Sequence, residues 1–162
     1  MGSISGFGTA FAAPIWVWAI GALAALTSGV AHSVPAAATD NATLDLSVTG
    51  LRNTKGHVLV CLTASSKAFP DCTKDSKAHK RTVKANASGV VSFADLNPGT
   101  YAISLIHDEN ANGKLDTAMA IPKEGFGFSR NPKITFGPPK FKAASFALVS
   151  AGKQTVKMKY MF

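Results

Sequence analysis

From residue 43 onward, apolar and polar residues alternate with a period of two, the spacing of half-buried strands. Leu44, Leu46 and Val48 share one face of Thr43–Val48. Asn53-Thr-Lys-Gly56 reads as a turn and the β-branched run His57–Thr63 as a second strand, so these two strands are expected to form a hairpin. Residues 65–79 are mixed and polar and read as a surface loop. A third strand is expected over Arg81–Ala85 and a turn at Asn86–Gly89. A fourth strand follows over Val90–Leu96, with Val91 and Phe93 inward. Pro98-Gly99 has the composition of a type II turn, in which Pro presets φ and Gly accepts a positive φ. It leads into a fifth strand carrying Tyr101, Ile103 and Leu105 on one face.

Residues 120–142 show no period and are dense in Gly, Pro and Phe. A loop this long inside a compact domain is usually functional or disordered, and its aromatics argue against disorder. Ala144–Val149 and Thr155–Tyr160 supply two further strands, the latter with Val156, Met158 and Tyr160 inward and Lys157 and Lys159 outward. Seven short strands with regular turns predict an all-β chain folded as a single antiparallel, immunoglobulin-like β-sandwich.

The 162 residues have room for one domain of ordinary size, but the 46% hydrophobic content is inflated by the N-terminus. Residues 1–38 contain no Lys, Arg, Asp or Glu and include the apolar run Pro14–Leu26 followed by small residues. That is the pattern of a secretory signal peptide, with cleavage after Ala31 or Ala38 and Ala38 favoured. The rival is an uncleaved anchor, although Gly and Ser break the run and it is barely long enough to span a bilayer. The expected division is a leader at 1–38 and a sandwich domain at 39–162, with a long loop at 107–142. An exported chain of this kind would be periplasmic or extracellular, with membrane contact only through an uncleaved leader.

All 17 Lys and Arg and all 9 Asp and Glu follow residue 38, so the mature part keeps the whole net charge of +8. The cations gather at Lys74, Lys77, Lys80, Arg81 and Lys84, and again at Lys153, Lys157 and Lys159. They suit anionic surfaces, or the protection of sheet edges, a common use of Lys and the reading we favour. No nucleic-acid motif accompanies them, and no nucleic acid is expected as a partner. Cys61 and Cys72 in an exported domain are most simply a disulfide, since two thiols are too few for a zinc site.

One stretch carries candidate chemistry. Asp108-Glu-Asn-Ala-Asn-Gly-Lys-Leu-Asp116 places side-chain oxygens of Asp108, Asn110, Asn112 and Asp116 at positions one, three, five and nine of a calcium-type loop. Gly113 holds the turning position six, and Lys114 offers its carbonyl at position seven. Position twelve is Met119 rather than the bidentate Glu, so Glu124 is the expected substitute. The rival is a turn in which Asp and Asn satisfy their own backbone without metal.

Leu96-Asn-Pro-Gly-Thr-Tyr-Ala-Ile103 resembles a segment of transthyretin-like and carboxypeptidase-regulatory-like sandwiches. Together with His107–Asp116, Ile121–Ser129 and Gly137–Phe141, it resembles a bacterial family of exported proteins, domain of unknown function 2141. The resemblance covers about residues 43–160. It implies a fold, export and a recurring loop pair, and carries no established activity with it.

The expected function is non-enzymatic binding or accessory action in the cell envelope, with structural Ca2+ holding the long loop. Phe126, Phe128, Arg130 and Phe136 are the candidate surface for an unidentified envelope ligand or protein. Plugging one end of the sandwich is the favoured role for Phe126 and Phe141. The alternatives are a small metal-dependent hydrolase using His107, Asp108 and Glu124, and a basic module docking on anionic envelope polymers. No nucleophile, base and oxyanion site assemble from the motifs, and neither H-E-x-x-H nor G-x-S-x-G occurs.

Overall fold

The computed structural model describes residues 41–162; the expected leader and its expected cleavage sites lie outside the described residues. Strand β1 (Ala42–Thr49) buries every second side chain, as its alternation requires. It is the centre of a three-stranded sheet, flanked by β4 (Val90–Leu96) antiparallel and β10 (Ala151–Lys157) parallel. The second sheet runs β3 (His79–Lys84), β2 (His57–Thr63), β5 (Gly99–Asp108) and β8 (Gly125–Phe128), antiparallel throughout. β9 (Phe146–Leu148) adds to the start of β5. A small hairpin, β6 (Thr117–Ala118) with β7 (Ile121–Pro122), lies between β5 and β8, and one helical turn, α1 (Phe141–Ala144), precedes β9.

The two sheets pack face to face as a β-sandwich. Leu44, Leu46, Phe93 and Val156 of the first sheet meet Val58, Leu62, Ile103 and Leu105 of the second in one buried cluster. Each such side chain contributes about 1.5–3 kcal/mol by leaving water. Ala38–Phe162 forms one compact unit, and this core is drawn from Ala42 to Met158. The described core therefore lies wholly between residues 42 and 158.

Three local expectations are corrected. β1 and β2 do not form a hairpin; they belong to different sheets. Their connection, residues 50–56, carries left-handed glycines at both ends, Gly50 (φ 74°) and Gly56 (φ 64°), and it is longer than a tight hairpin loop. Pro98-Gly99 is not a type II turn, because Asp95 rather than Gly99 takes the left-handed conformation, at φ 56°. The long loop is not irregular throughout, since Gly125-Phe-Gly-Phe128 is a strand buried along its length.

That strand explains its own composition. Gly125 and Gly127 face inward beneath the C-terminal segment, where a Cβ at Gly127 would lie 2.7 Å from Val156 Cγ1 and one at Gly125 2.5 Å from the Tyr160 ring. Phe126 and Phe128 face the other way. They join Phe69, Ala102 and Ala144 in a second buried cluster, with Ile134 and Phe141 packed against it. The C-terminal segment then runs alongside: Phe126 and Lys159 exchange backbone hydrogen bonds of 3.0 and 2.8 Å. β10 thus starts in one sheet, and its continuation ends on the other.

The expected disulfide is present between Cys61 on β2 and Cys72 in the following loop. The same loop is held by the Thr63 hydroxyl donating to Asp75 at 2.6 Å and the Ser104 hydroxyl donating to the Pro70 carbonyl at 2.7 Å.

Candidate functional site

Strand β5 delivers Asp108 to the rim of the second sheet, almost wholly buried. Its two carboxylate oxygens accept backbone N–H groups from across the turn, Asn112 at 3.0 Å and Gly113 at 2.7 Å. The turn requires Gly113, whose φ is 82°. Asn110 Oδ1 accepts the Asn112 N–H, and Asn112 Oδ1 accepts the Lys114 N–H, both at 3.1 Å. The amide groups of Asn110 and Asn112 both donate to Asp116 Oδ2, at 2.7 and 3.0 Å. These two bonds, Asn110 first, hold the Asp116 carboxyl below its ordinary range.

Glu124, placed at the foot of the β6–β7 hairpin, reaches back to this loop. One of its oxygens accepts the Glu109 N–H and the other the Asp116 N–H, each at 3.0 Å. The carboxylate therefore clamps both ends of the turn, and its own burial is matched by two charge-assisted bonds. The structure thus brings Asp108, Asn110, Asn112, Asp116 and Glu124 into one hydrogen-bonded unit.

As a cation site the unit fits in part. The chain turns as a calcium-type loop does, and every ligand type is oxygen-rich. However, both oxygens of Asp108 and both of Glu124 are occupied by N–H donors. Among the described residues no three His, Cys, Asp or Glu side chains are grouped to hold a metal. Asp116 differs, because Oδ2 is held only by two side-chain amides that can rotate away.

His107 precedes the loop and is fully buried. Its Nε2 lies 2.9 Å from the Lys55 carbonyl, which can only accept, so Nε2 carries the proton. Nδ1 then accepts the Tyr160 hydroxyl at 2.7 Å, and the Tyr160 oxygen accepts the Arg52 N–H at 3.1 Å. Arg52 binds Glu109 at 2.7 Å and stacks its guanidinium 4.6 Å above the centre of the Tyr160 ring. Burial opposes ionisation of Glu109, but the bonds from Arg52 and Asn53 outweigh it and keep the carboxyl below its usual range. Sequence reasoning missed Arg52, Glu109 and Tyr160 as a group. Their positions are far apart in the chain, and no local pattern links them.

The candidate ligand surface is corrected. Phe126 and Phe128 are core residues, because the alternating glycines of β8 turn both rings under the Phe69 loop. Arg130 is exposed and donates to the Ser145 carbonyl at 3.2 Å. Phe136 alone of the four presents its ring to solvent, with 99% of its surface exposed. The basic groups at Lys80, Arg81 and Lys84 lie on β3, and those at Lys153 and Lys157 on β10, each at one edge of its sheet.

Residues 46–157 match a family model described as "Uncharacterized protein conserved in bacteria (DUF2141)". The chain belongs to that family. No curated protein and no solved structure matches it. The matched span of DUF2141 runs from the middle of β1 to the end of β10 and includes the Asp/Asn loop and Glu124.

Proposed function

We propose that the chain is an exported, non-enzymatic binding or accessory module of the cell envelope. The observation that carries this reading is the use of its polar groups. His107, Asp108 and Glu124, the three groups a hydrolase would need, each have both ring nitrogens or both carboxylate oxygens committed to internal hydrogen bonds. Among the described residues no buried side-chain nitrogen or oxygen lacks a partner. What this framework holds out to solvent is a pair of turns, the β6–β7 hairpin with Met119 at its tip and the 132–140 loop with Phe136. The disulfide supports export, because such bonds persist in oxidising compartments.

Calcium is proposed as an addition to the clamp rather than its cause. It would take the Asp116 carboxylate from the two Asn amides, with Asp108, Asn110, Asn112, the Lys114 carbonyl and Glu124 around it. Thermal unfolding of residues 39–162 in EDTA, then with calcium or magnesium restored, tests the metal. Selective stabilisation by calcium, lost in Asp108→Ala and Asp116→Ala, supports it; no shift at excess calcium removes it. Hydrolysis of ester, phosphoester or peptide substrates that disappears in Glu124→Gln would overturn the non-enzymatic reading. Retention of the domain on lipid-extracted envelope material, without turnover, supports it.

A further inference from the structure

We propose that the 132–140 loop docks on an anionic lipid surface by inserting Phe136 between headgroups while neighbouring lysines pair with the phosphates. The inference rests on the envelope-module reading and adds the partner.

The loop is fastened at its base and free at its tip. The Asn131 side chain donates to the Thr155 carbonyl and accepts the Lys157 N–H, each at 2.8 Å. Lys159 Nζ donates to the Pro132 carbonyl at 2.7 Å. On either side of the tip, Ile134 and Phe141 pack against the Phe69, Phe126 and Phe128 cluster. Between these anchors the chain makes the turn Phe136-Gly-Pro-Pro139, with Gly137 left-handed at φ 63°. The turn leaves Phe136 almost wholly in water. The packing that takes in Ile134 and Phe141 excludes it, although a phenyl ring gains more from burial than most side chains.

Charge selects the partner. Arg130, Lys133, Lys140 and Lys142 are exposed in and beside the loop. Residues 125–162 contain seven Lys or Arg and no Asp or Glu, so no acidic side chain in this stretch competes for those cations. A lone apolar ring among cations, on a turn anchored at its base, matches an interface whose outer layer is anionic and whose next layer is hydrocarbon. A soluble anionic polymer would use the lysines and leave the ring idle.

The test uses residues 39–162, which lack Trp16 and Trp18 and so contain no tryptophan. Phe136→Trp makes position 136 the sole reporter. With vesicles of phosphatidylcholine and phosphatidylglycerol, co-sedimentation and a blue shift of the tryptophan emission are expected; with phosphatidylcholine alone, neither. Phe136→Ser should weaken binding about tenfold, by loss of the inserted ring. Lys133→Gln/Lys140→Gln/Lys142→Gln should weaken it by roughly a hundredfold, at about fivefold for each cation near the surface. Lys80→Gln/Lys84→Gln, on the β3 edge, should change it little.

Binding without a blue shift, or binding indifferent to Phe136→Ser, overturns the insertion, as does equal sensitivity to the β3 pair. If the domain ignores vesicles but is retained on lipid-extracted envelope material, the lipid inference fails and the module reading stands. Loss of both removes both.

Discussion

The Tyr160 hydroxyl lies 2.7 Å from Nδ1 of His107, joining the C-terminal segment to the end of strand β5. The hydroxyl also receives the Arg52 N–H, so one oxygen serves two elements. Tyr160→Phe keeps the ring but leaves a fully buried imidazole nitrogen unpaired. A loss of about 1–3 kcal/mol is expected, read as a lower urea midpoint with an unchanged slope. An unchanged midpoint would mean that the hydroxyl carries no net stabilisation.

Glycine in β8 is a matter of space. Gly127→Ala would press a methyl against Val156 Cγ1, and repacking should cost about 1–3 kcal/mol. Gly89→Ala meets open space and ordinary backbone geometry, so its effect should stay within about 0.5 kcal/mol. The ordering of the two in thermal melts is the check. Equal melting points would refute the close approach.

Reduction of the Cys61–Cys72 bond, or its replacement by a pair of serines, should lower stability by about 3 kcal/mol through the freed chain between them. The fold itself should survive, since neither cysteine belongs to the cluster packed between the sheets. Denaturation with and without reductant measures this, and far-UV circular dichroism confirms the retained sheet.

The acid limb of the stability curve belongs partly to Asp75 and Glu109. The Thr63 hydroxyl and the Lys77 N–H lower the Asp75 carboxyl, and for Glu109 the Arg52 and Asn53 bonds override burial. Carboxyls lowered on folding stabilise the native state above their unfolded values, near 4. That stabilisation disappears as pH falls through the lower folded values. Asp75→Asn should therefore lower stability at neutral pH and leave it nearly unchanged at strongly acid pH, flattening the dependence between the two. A parallel curve displaced by a constant would contradict the assignment.

What the chain disclosed in advance depended on how local the signal was. The alternation of Leu44, Leu46 and Val48, or of Tyr101, Ile103 and Leu105, is a property of adjacent residues and located strands directly. Which strands pair is decided by surfaces far apart in sequence, so the β1–β2 hairpin was a fair local inference and still incorrect. Gly125-Phe-Gly-Phe128 has a period of two, but its inward positions are glycines and it lacks β-branched residues, which hid the strand. Glu124 was traceable because the 108–116 loop lacks a carboxylate at position twelve. The Arg52, Glu109 and Tyr160 group was not, because its members are brought together only when the C-terminal segment docks.

The parallel pairing of β1 with β10 has a temporal side. Thr43 sits opposite Ala151, so the central strand of the first sheet waits for a neighbour made more than a hundred residues later. The C-terminal continuation must then also reach Phe126 before β8 gains its outer partner. Contacts of such long range form slowly. During synthesis neither sheet is complete until β10 and its continuation to Lys159 have emerged. A growing chain would stay open until then, and the sandwich would close only once that segment is available.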